Sequence, residues 1–280
     1  RVSTLPTVYG EKCVMRLTQK KALRRSKRAL GLTGSELEKF DEILRHPNGI
    51  VLVTGPTGSG KSTTLYTALN ELNSDMVNIV TVEDPVEANV DGVNQVQVNP
   101  KANLTFGNAL RSILRQDPDI IMIGEIRDRE TASIAVQASI TGHLVVSTLH
   151  TNDTASSVTR LLDMGVESYL IADALTGIIA QRLVRRLCPN CKRRHVLLEH
   201  ELEYLGLTPK EKDSAEVYEP VGCQRCAGTG YFDRIGIYEI MEITPRMRTM
   251  ISHRCDTGTL RETAIAEGMH TLRELSLIHI

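Results

Sequence analysis

The sequence predicts an α/β fold built on a largely parallel sheet, and two observations carry that expectation. Short apolar runs alternate with segments of helical periodicity between residues 50 and 149, and strand–helix alternation leads to parallel strands with helices on the sheet faces. A glycine-rich stretch follows the first run and precedes the first helix, which is the context of a phosphate-binding loop. Taken in order, Ile50–Thr54 is a short β-branched run, as expected of a strand buried on both faces. Lys61–Leu72 places Leu65, Ala68, Leu69 and Leu72 on one helical face. Val77–Val82, Ile120–Ile123 and Leu144–Leu149 are three further strands, with helices at Phe106–Gln116 and Glu130–Thr141 between them. Past Leu187 the texture shifts to Cys, Gly and charge, with a helical stretch near Gly258–Gly268.

Composition excludes several classes. A chain of 280 residues corresponds to about two domains at about 150 residues each and can bury a core without disulfides. Lys+Arg 33 against Asp+Glu 34 leaves a net charge of -1, so no global field draws it to nucleic acid or anionic lipid. With no Trp, seven Tyr and three Phe, base-stacking platforms are disfavoured. No run approaches the roughly 18 apolar residues of a membrane span; Ile171–Ala180 is interrupted by Asp173, Thr176 and Gly177. The opening Arg1-Val2-Ser3-Thr4 lacks Met and signal-peptide anatomy and reads as the start of a fragment. Six Cys, four of them in two C-x-x-C pairs, suit metal binding in a reducing compartment, with the cytoplasm as default. From Arg16 to Arg28 seven basic residues occur without an acid: a solvated linker or helix face, or a segment lying against phosphates or an acidic neighbouring subunit.

Gly55-Pro56-Thr57-Gly58-Ser59-Gly60-Lys61-Ser62 fits G-x-x-x-x-G-K-[ST]. The glycines let backbone N–H groups face phosphate oxygens, and the helix starting near Lys61 adds its positive end, with Thr63 in its first turn. Lys61 is expected to reach the β- and γ-phosphates of a nucleoside triphosphate, and Ser62 to hold Mg²⁺. Hydrolysis requires acids. Asp119–Glu125 is a strand ending in Gly-Glu, with Gly124 where the Walker B Asp usually stands, so Glu125 is the candidate to orient water or reach Mg²⁺ through water. Glu83 ends the strand Val77–Val82, and strand carboxyl ends would bring Lys61, Glu83 and Glu125 to one crevice. Arg111 and Arg115 project one turn apart, and Arg127 follows Glu125; each is a surface ion-pair member or an arginine finger acting across a subunit boundary. His143 and His150 bracket the strand Leu144–Leu149 as phosphate-sensor candidates.

Gly55–Ser62, Thr81–Glu87, Gly124–Asp128, Thr141-Gly142-His143 and Thr148–Asn152 together resemble the Walker A, Asp, Walker B and His boxes of the secretion-superfamily ATPases, in the type II secretion and type IV pilus assembly branch. Arg1–Pro6 and Val14–Leu17 resemble the end of that family's second N-terminal domain. The resemblance implies a RecA-like P-loop NTPase core with a parallel sheet, a tetracysteine zinc insertion and a small C-terminal helical region. It implies a hexameric cytoplasmic ATPase held by partners at the inner face of the membrane, docked on an inner-membrane platform and driving secretion or pilus assembly. Position by position it makes Lys61 and Ser62 the nucleotide grip, Glu83 and Glu125 the catalytic acids, and His143 and His150 the His box. It also marks Arg1, Arg16, Arg111, Arg115, Arg127 and Arg160 as functional arginines. The implied domains are an N-terminal remnant (1–18), a basic linker (19–32), the ATPase core (33–187), the zinc insertion (188–230) and a mostly helical region (231–280). The chain departs from the pattern in its missing upstream domains and its more basic linker. It departs again at Glu274–Ile280, which does not read as the closing helix and resembles a truncation or a foreign tail.

Cys188-Pro189-Asn190-Cys191 and Cys223-Gln224-Arg225-Cys226 are two knuckles suited to a closed tetrahedral Zn²⁺ site, which is structural rather than catalytic. Cys13 and Cys255 read as small hydrophobes. Two other functional classes stay open. A nucleic-acid motor is disfavoured by the charge and the scarce aromatics, and a nucleotide-gated scaffold without turnover is separated by the consequences of replacing Glu125.

Overall fold

The computed structural model describes residues 2–15, 26–205 and 216–279. In chain order, β1 (Val2–Thr7) and β2 (Gly10–Met15) form an antiparallel hairpin exposed along its whole length. There follow α1 (Lys27–Leu30), α2 (Gly34–Leu44), β3 (Gly49–Thr54), α3 (Lys61–Leu72), β4 (Ile79–Glu83) and β5 (Asn94–Gln97). Then come α4 (Phe106–Ile113), β6 (Ile120–Ile123), α5 (Arg129–Ile140), β7 (Leu144–Leu149), α6 (Ala155–Asp163) and α7 (Ser168–Ala174). The chain continues through β8 (Leu175–Leu187), β9 (Arg193–Arg194), α8 (Glu199–Leu205), β10 (Tyr218–Glu219), β11 (Tyr231–Glu242), α9 (Pro245–Ser252), α10 (Thr257–Ala266) and α11 (Leu272–His279).

Seven strands make one sheet in the order β11-β8-β3-β7-β6-β4-β5. Every neighbouring pair is parallel except β11 with β8. The four strands expected from apolar runs are the contiguous centre, β3-β7-β6-β4. Their alternate residues feed two cores: Ile50 and Leu52 of β3 join the helices α4 to α7, while Val51 and Val53 join α2 and α3. Burial on both faces is why these strands read as unbroken apolar runs.

The outer part of the sheet differs from expectation. The region from residue 231, expected to be mostly helical, does hold α9, α10 and α11, but it opens on Tyr231–Glu242, a long strand paired along β8 from Glu242↔Gly177 to Tyr231↔Leu187. Its polar distal half, exposed where it leaves the core, hides the strand from a periodicity reading. The expectation that Glu274–Ile280 does not form a closing helix is corrected, since residues to His279 lie in α11; this concerns their conformation and not their origin. Thr271 and Glu274 form a reciprocal cap: Thr271 N donates to Glu274 Oε2 (2.7 Å), and Glu274 N donates to Thr271 Oγ1 (3.3 Å). Leu275 is buried against the core. Within the basic run, residues 16–25 lie outside the described residues, but Lys27 is no solvated charge. It pairs with Asp41 of α2 and with Glu71 of α3.

Candidate active site

The phosphate loop is shaped by what a side chain would strike. A Cβ on Gly55 (φ +149°) would lie 2.5 Å from Gln181 O and 2.6 Å from Ser59 Oγ. One on Gly60 (φ +92°), the residue capping α3, would lie 2.9 Å from Gln181 Nε2. Only glycine allows both the positive φ and the close approach of β8. Lys61 Nζ donates to Gly55 O (2.7 Å) and Pro56 O (3.1 Å), folding back across the loop. Burial draws its ammonium below the usual lysine range; Glu125 opposes this and Arg182 reinforces it. Ser59 Oγ is buried without a hydrogen-bond partner. A glycine cradle, a folded-back lysine and an unpaired buried hydroxyl fit a phosphate-bearing ligand.

A cavity of about 420 Å³ opens beside this loop, lined by Thr57–Thr63 together with Glu83, Glu125, Arg127 and His150. The sheet explains the convergence. β3, β4, β6 and β7 run parallel, so the residues that follow or end them meet at one edge, where open α/β sheets gather ligands. Gly124 accounts for the departure from the usual Asp. Its N–H donates to Val82 O (2.8 Å), and a Cβ there would lie 3.3 Å from that same oxygen, so glycine brings Glu125 close to the end of β4. The Glu125 carboxylate is held by Arg127 Nε (2.6 Å) and lies 3.5 Å from His150 Nε2. Glu83 is 3 % exposed and accepts from Tyr66 Oη (2.5 Å), Thr81 Oγ1 (2.7 Å) and Gln95 Nε2 (3.1 Å).

Other expected residues lie elsewhere. His143 precedes β7 at the opposite sheet edge, with Nδ1 2.8 Å from Ala138 O. The six residues of β7, at about 3.3 Å each, separate it from His150 and the cavity. Arg111 pairs with Glu130 (2.5 Å), both half exposed. Arg115 and Arg160 are exposed and do not line the cavity. Arg1 and Arg16 lie outside the described residues. Asp128 caps α5, accepting from Thr131 N (2.8 Å).

Sequence reasoning missed Tyr66, Gln95, Gln181 and Arg182. Tyr66 carries a faint signal, since it lies one helical turn beyond Ser62. Gln95 carries none: β4–β5 pairing sets it opposite Thr81, which shares a strand face with Glu83. Gln181 accepts from Thr64 Oγ1 (2.8 Å), and Arg182 donates to Asn152 O (2.8 Å), so β8 ties α3 and the loop after β7 together.

Beyond the far end of β8 and β11, the four expected thiols converge, with all sulfurs within 4.8 Å of one another. Cys188–Cys223, Cys191–Cys226 and Cys226–Cys223 are 3.9, 3.8 and 3.7 Å apart. A tetrahedral site with Zn–S bonds of about 2.3 Å has sulfurs about 3.8 Å apart, so this arrangement matches Zn²⁺. Burial opposes ionisation of Cys226, but the N–H groups of Cys223 and Gly230 outweigh it and lower its thiol to about 6. Burial and neighbouring thiols raise Cys191 to about 11. Cys13 and Cys255 are not part of the cluster.

A mostly parallel sheet, a glycine-rich loop between β3 and α3, and carboxylates at two strand ends define a P-loop protein of the nucleotide-binding α/β class. The chain belongs to the Type II/IV secretion system protein family, whose model matches residues 1–279. It is 52% identical over 274 residues to "Type II secretion system protein HxcR" of Pseudomonas aeruginosa, covering 98% of this chain and 54% of that protein. It is 51% identical over 279 residues to "Type IV pilus assembly ATPase PilB" of Acinetobacter baylyi, covering 99% of this chain and 48% of that protein. Among solved structures, the pilus retraction motor PilT with bound ADP matches with TM-score 0.66 and 26% identity, covering 98% of this chain and 72% of that one. The Legionella pneumophila ATPase DotB shares the fold, with TM-score 0.60 and 21% identity over 99% of this chain and 71% of that one. The chain spans about half the length of the curated relatives it matches.

Proposed function

We propose that this chain is the ATP-hydrolysing motor part of a secretion or pilus-assembly machine. The observation that carries the reading is the single cavity shared by Lys61, Ser62, Glu83 and Glu125. Lys61 would exchange its two backbone carbonyls for the phosphate oxygens, and the loop amides would cradle the phosphates. Ser62 would hold Mg²⁺, which when bound neutralises charge on the transferring phosphoryl group. Glu125, carried by the strand end next to the loop's own sheet neighbour, orients the attacking water, and Glu83 assists from the end of β4. A second cavity of about 180 Å³ shares Gly60 and Thr63 with the loop; Leu30 and Leu183 line it together with the polar Gln181, Asp233 and Arg234, a mixed seat that we assign to the base.

Arg111, Arg115 and Arg160, exposed outside the cavity, and Arg127, largely exposed beside its pair with Glu125, support completion of the site by neighbouring copies in a homo-hexamer. The names of the relatives support an engine for protein secretion or pilus assembly, and in this reading it works on the cytoplasmic side through an inner-membrane platform. None of the helices among the described residues is long and apolar enough to cross a membrane. The cysteine cluster is read as a structural zinc site far from the reaction. The test is Glu125→Gln: phosphate release falls by at least about 10²-fold while binding of a fluorescent ATP analogue persists. Equal turnover by both proteins sinks the assignment.

A further inference from the structure

Glu83 is nearly saturated with hydrogen bonds. A carboxylate offers about four lone-pair positions. Oε1 accepts from Thr81 and Gln95, and Oε2 accepts from Tyr66, which leaves one position for a water or ligand in the cavity that Glu83 lines. The direction of the Tyr66 bond is settled by its surroundings. Its other neighbours are Glu87 N (3.2 Å), Ala88 N (3.4 Å) and Gln95 Nε2 (3.5 Å), all donors, so the single phenolic proton goes to Glu83. Burial, with Glu83 beside it, pushes the phenol well above the usual tyrosine range and keeps that proton in place. Tyr66 is 2 % exposed and stands one turn after Ser62 on α3, the helix that begins at the phosphate loop.

We propose that Tyr66 is a positioning residue for the proposed hydrolysis: its hydroxyl fixes the rotation of Glu83 so that one lone pair addresses the cavity. The same hydroxyl anchors residues 87 and 88, so α3, the end of β4 and the loop behind it move as one unit. The inference rests on the reading of this cavity as an ATPase site. Nothing in it requires Tyr66 to touch substrate.

The experiment measures kcat and KM for ATP in the full chain, Tyr66→Phe, Glu83→Gln and the double variant. Tyr66→Phe keeps the ring and removes only the hydroxyl. It is expected to lower kcat by about 10- to 100-fold, the scale of a misplaced reacting group, with KM within about two-fold. In the Glu83→Gln background the same change is expected to have little further effect, as a double-mutant cycle requires of a coupled pair. An unchanged kcat overturns the inference, as does a loss confined to KM or an equal loss in both backgrounds. Tyr66→Met repeats the test with a flexible apolar filler, so a folding defect peculiar to one variant cannot imitate the result. An active wild type with unaffected Tyr66 variants removes only this inference, whereas a wild type without turnover removes the ATPase reading as well.

Discussion

His195 shows how a single side chain sets the conditions under which its surroundings hold together. Its Nε2 lies 2.8 Å from Glu201 of α8 and its Nδ1 3.1 Å from Glu219 of β10, while Arg193 of β9 pairs with Glu219 at 2.5 Å. Glu201 and then Glu219 raise the His195 pKa; the Leu198 amide with His195 lowers Glu201, and Arg193 with His195 lowers Glu219. A raised histidine stabilises fully below its unfolded value of about 6.5 and loses that contribution as pH rises through the folded value. Lowered carboxylates stabilise above their unfolded value of about 4.3 and lose it as pH falls through the folded ones. The contact between α8 and the β9–β10 pair is therefore expected to be strongest between about pH 4.5 and 6.5. An NMR titration of the His195 ring, with amide protection factors in α8 corrected for the intrinsic pH dependence of exchange, checks this; protection that stays flat as pH rises past the His195 midpoint contradicts it. At this scale the sequence was legible only where a residue type carries its own chemistry, as with Lys61 or the paired cysteines. Tyr66 carries only its spacing from Ser62 and Gln95 carries no mark, and folding makes them donors to Glu83.

Among elements, the hairpin of β8 and β11 separates two functions by distance. β8 meets the phosphate loop near Ala180, which pairs with Thr54 of β3, and reaches the cysteine cluster only after Leu187. Seven residues of strand, at about 3.3 Å each, lie between them. Removing metal with a chelator is therefore expected to raise hydrogen exchange across Cys188–Cys226 while nucleotide binding at Lys61 stays measurable. Loss of binding while the main sheet remains protected would overturn the structural role of the cluster. The cysteines are legible because C-x-x-C spacing is a local property. β8 and β11 escaped notice because their far halves leave the core, lose alternation and become charged. The start of helix α11 was legible in principle from Thr271-x-x-Glu274, a capping pattern.

For the molecule as a whole, near-zero net charge conceals an uneven distribution. Within the described residues the cavity holds one loop lysine and one arginine, Arg127, which is already engaged by Glu125. Among the described residues the other candidate arginines, Arg111, Arg115 and Arg160, are exposed outside the cavity. An ATPase completed by neighbouring copies is expected to show specific activity that rises with protein concentration and levels off on assembly, measured as phosphate release alongside light scattering. Specific activity independent of concentration over the range in which mass increases would remove the arginines' role in trans.

Local patterns were enough to identify the phosphate loop, the metal-type cysteine pairs and the four central strands, because each is specified by spacing or by burial on both faces. Which residues meet around Glu83 and Glu125 depended on strand order and register. His143 and His150 bracket one strand in the sequence, and the parallel packing of β7 beside β3 decides that His150, not His143, stands at the phosphate-loop end of the sheet. That outcome follows from long-range burial, which no short window of residues contains.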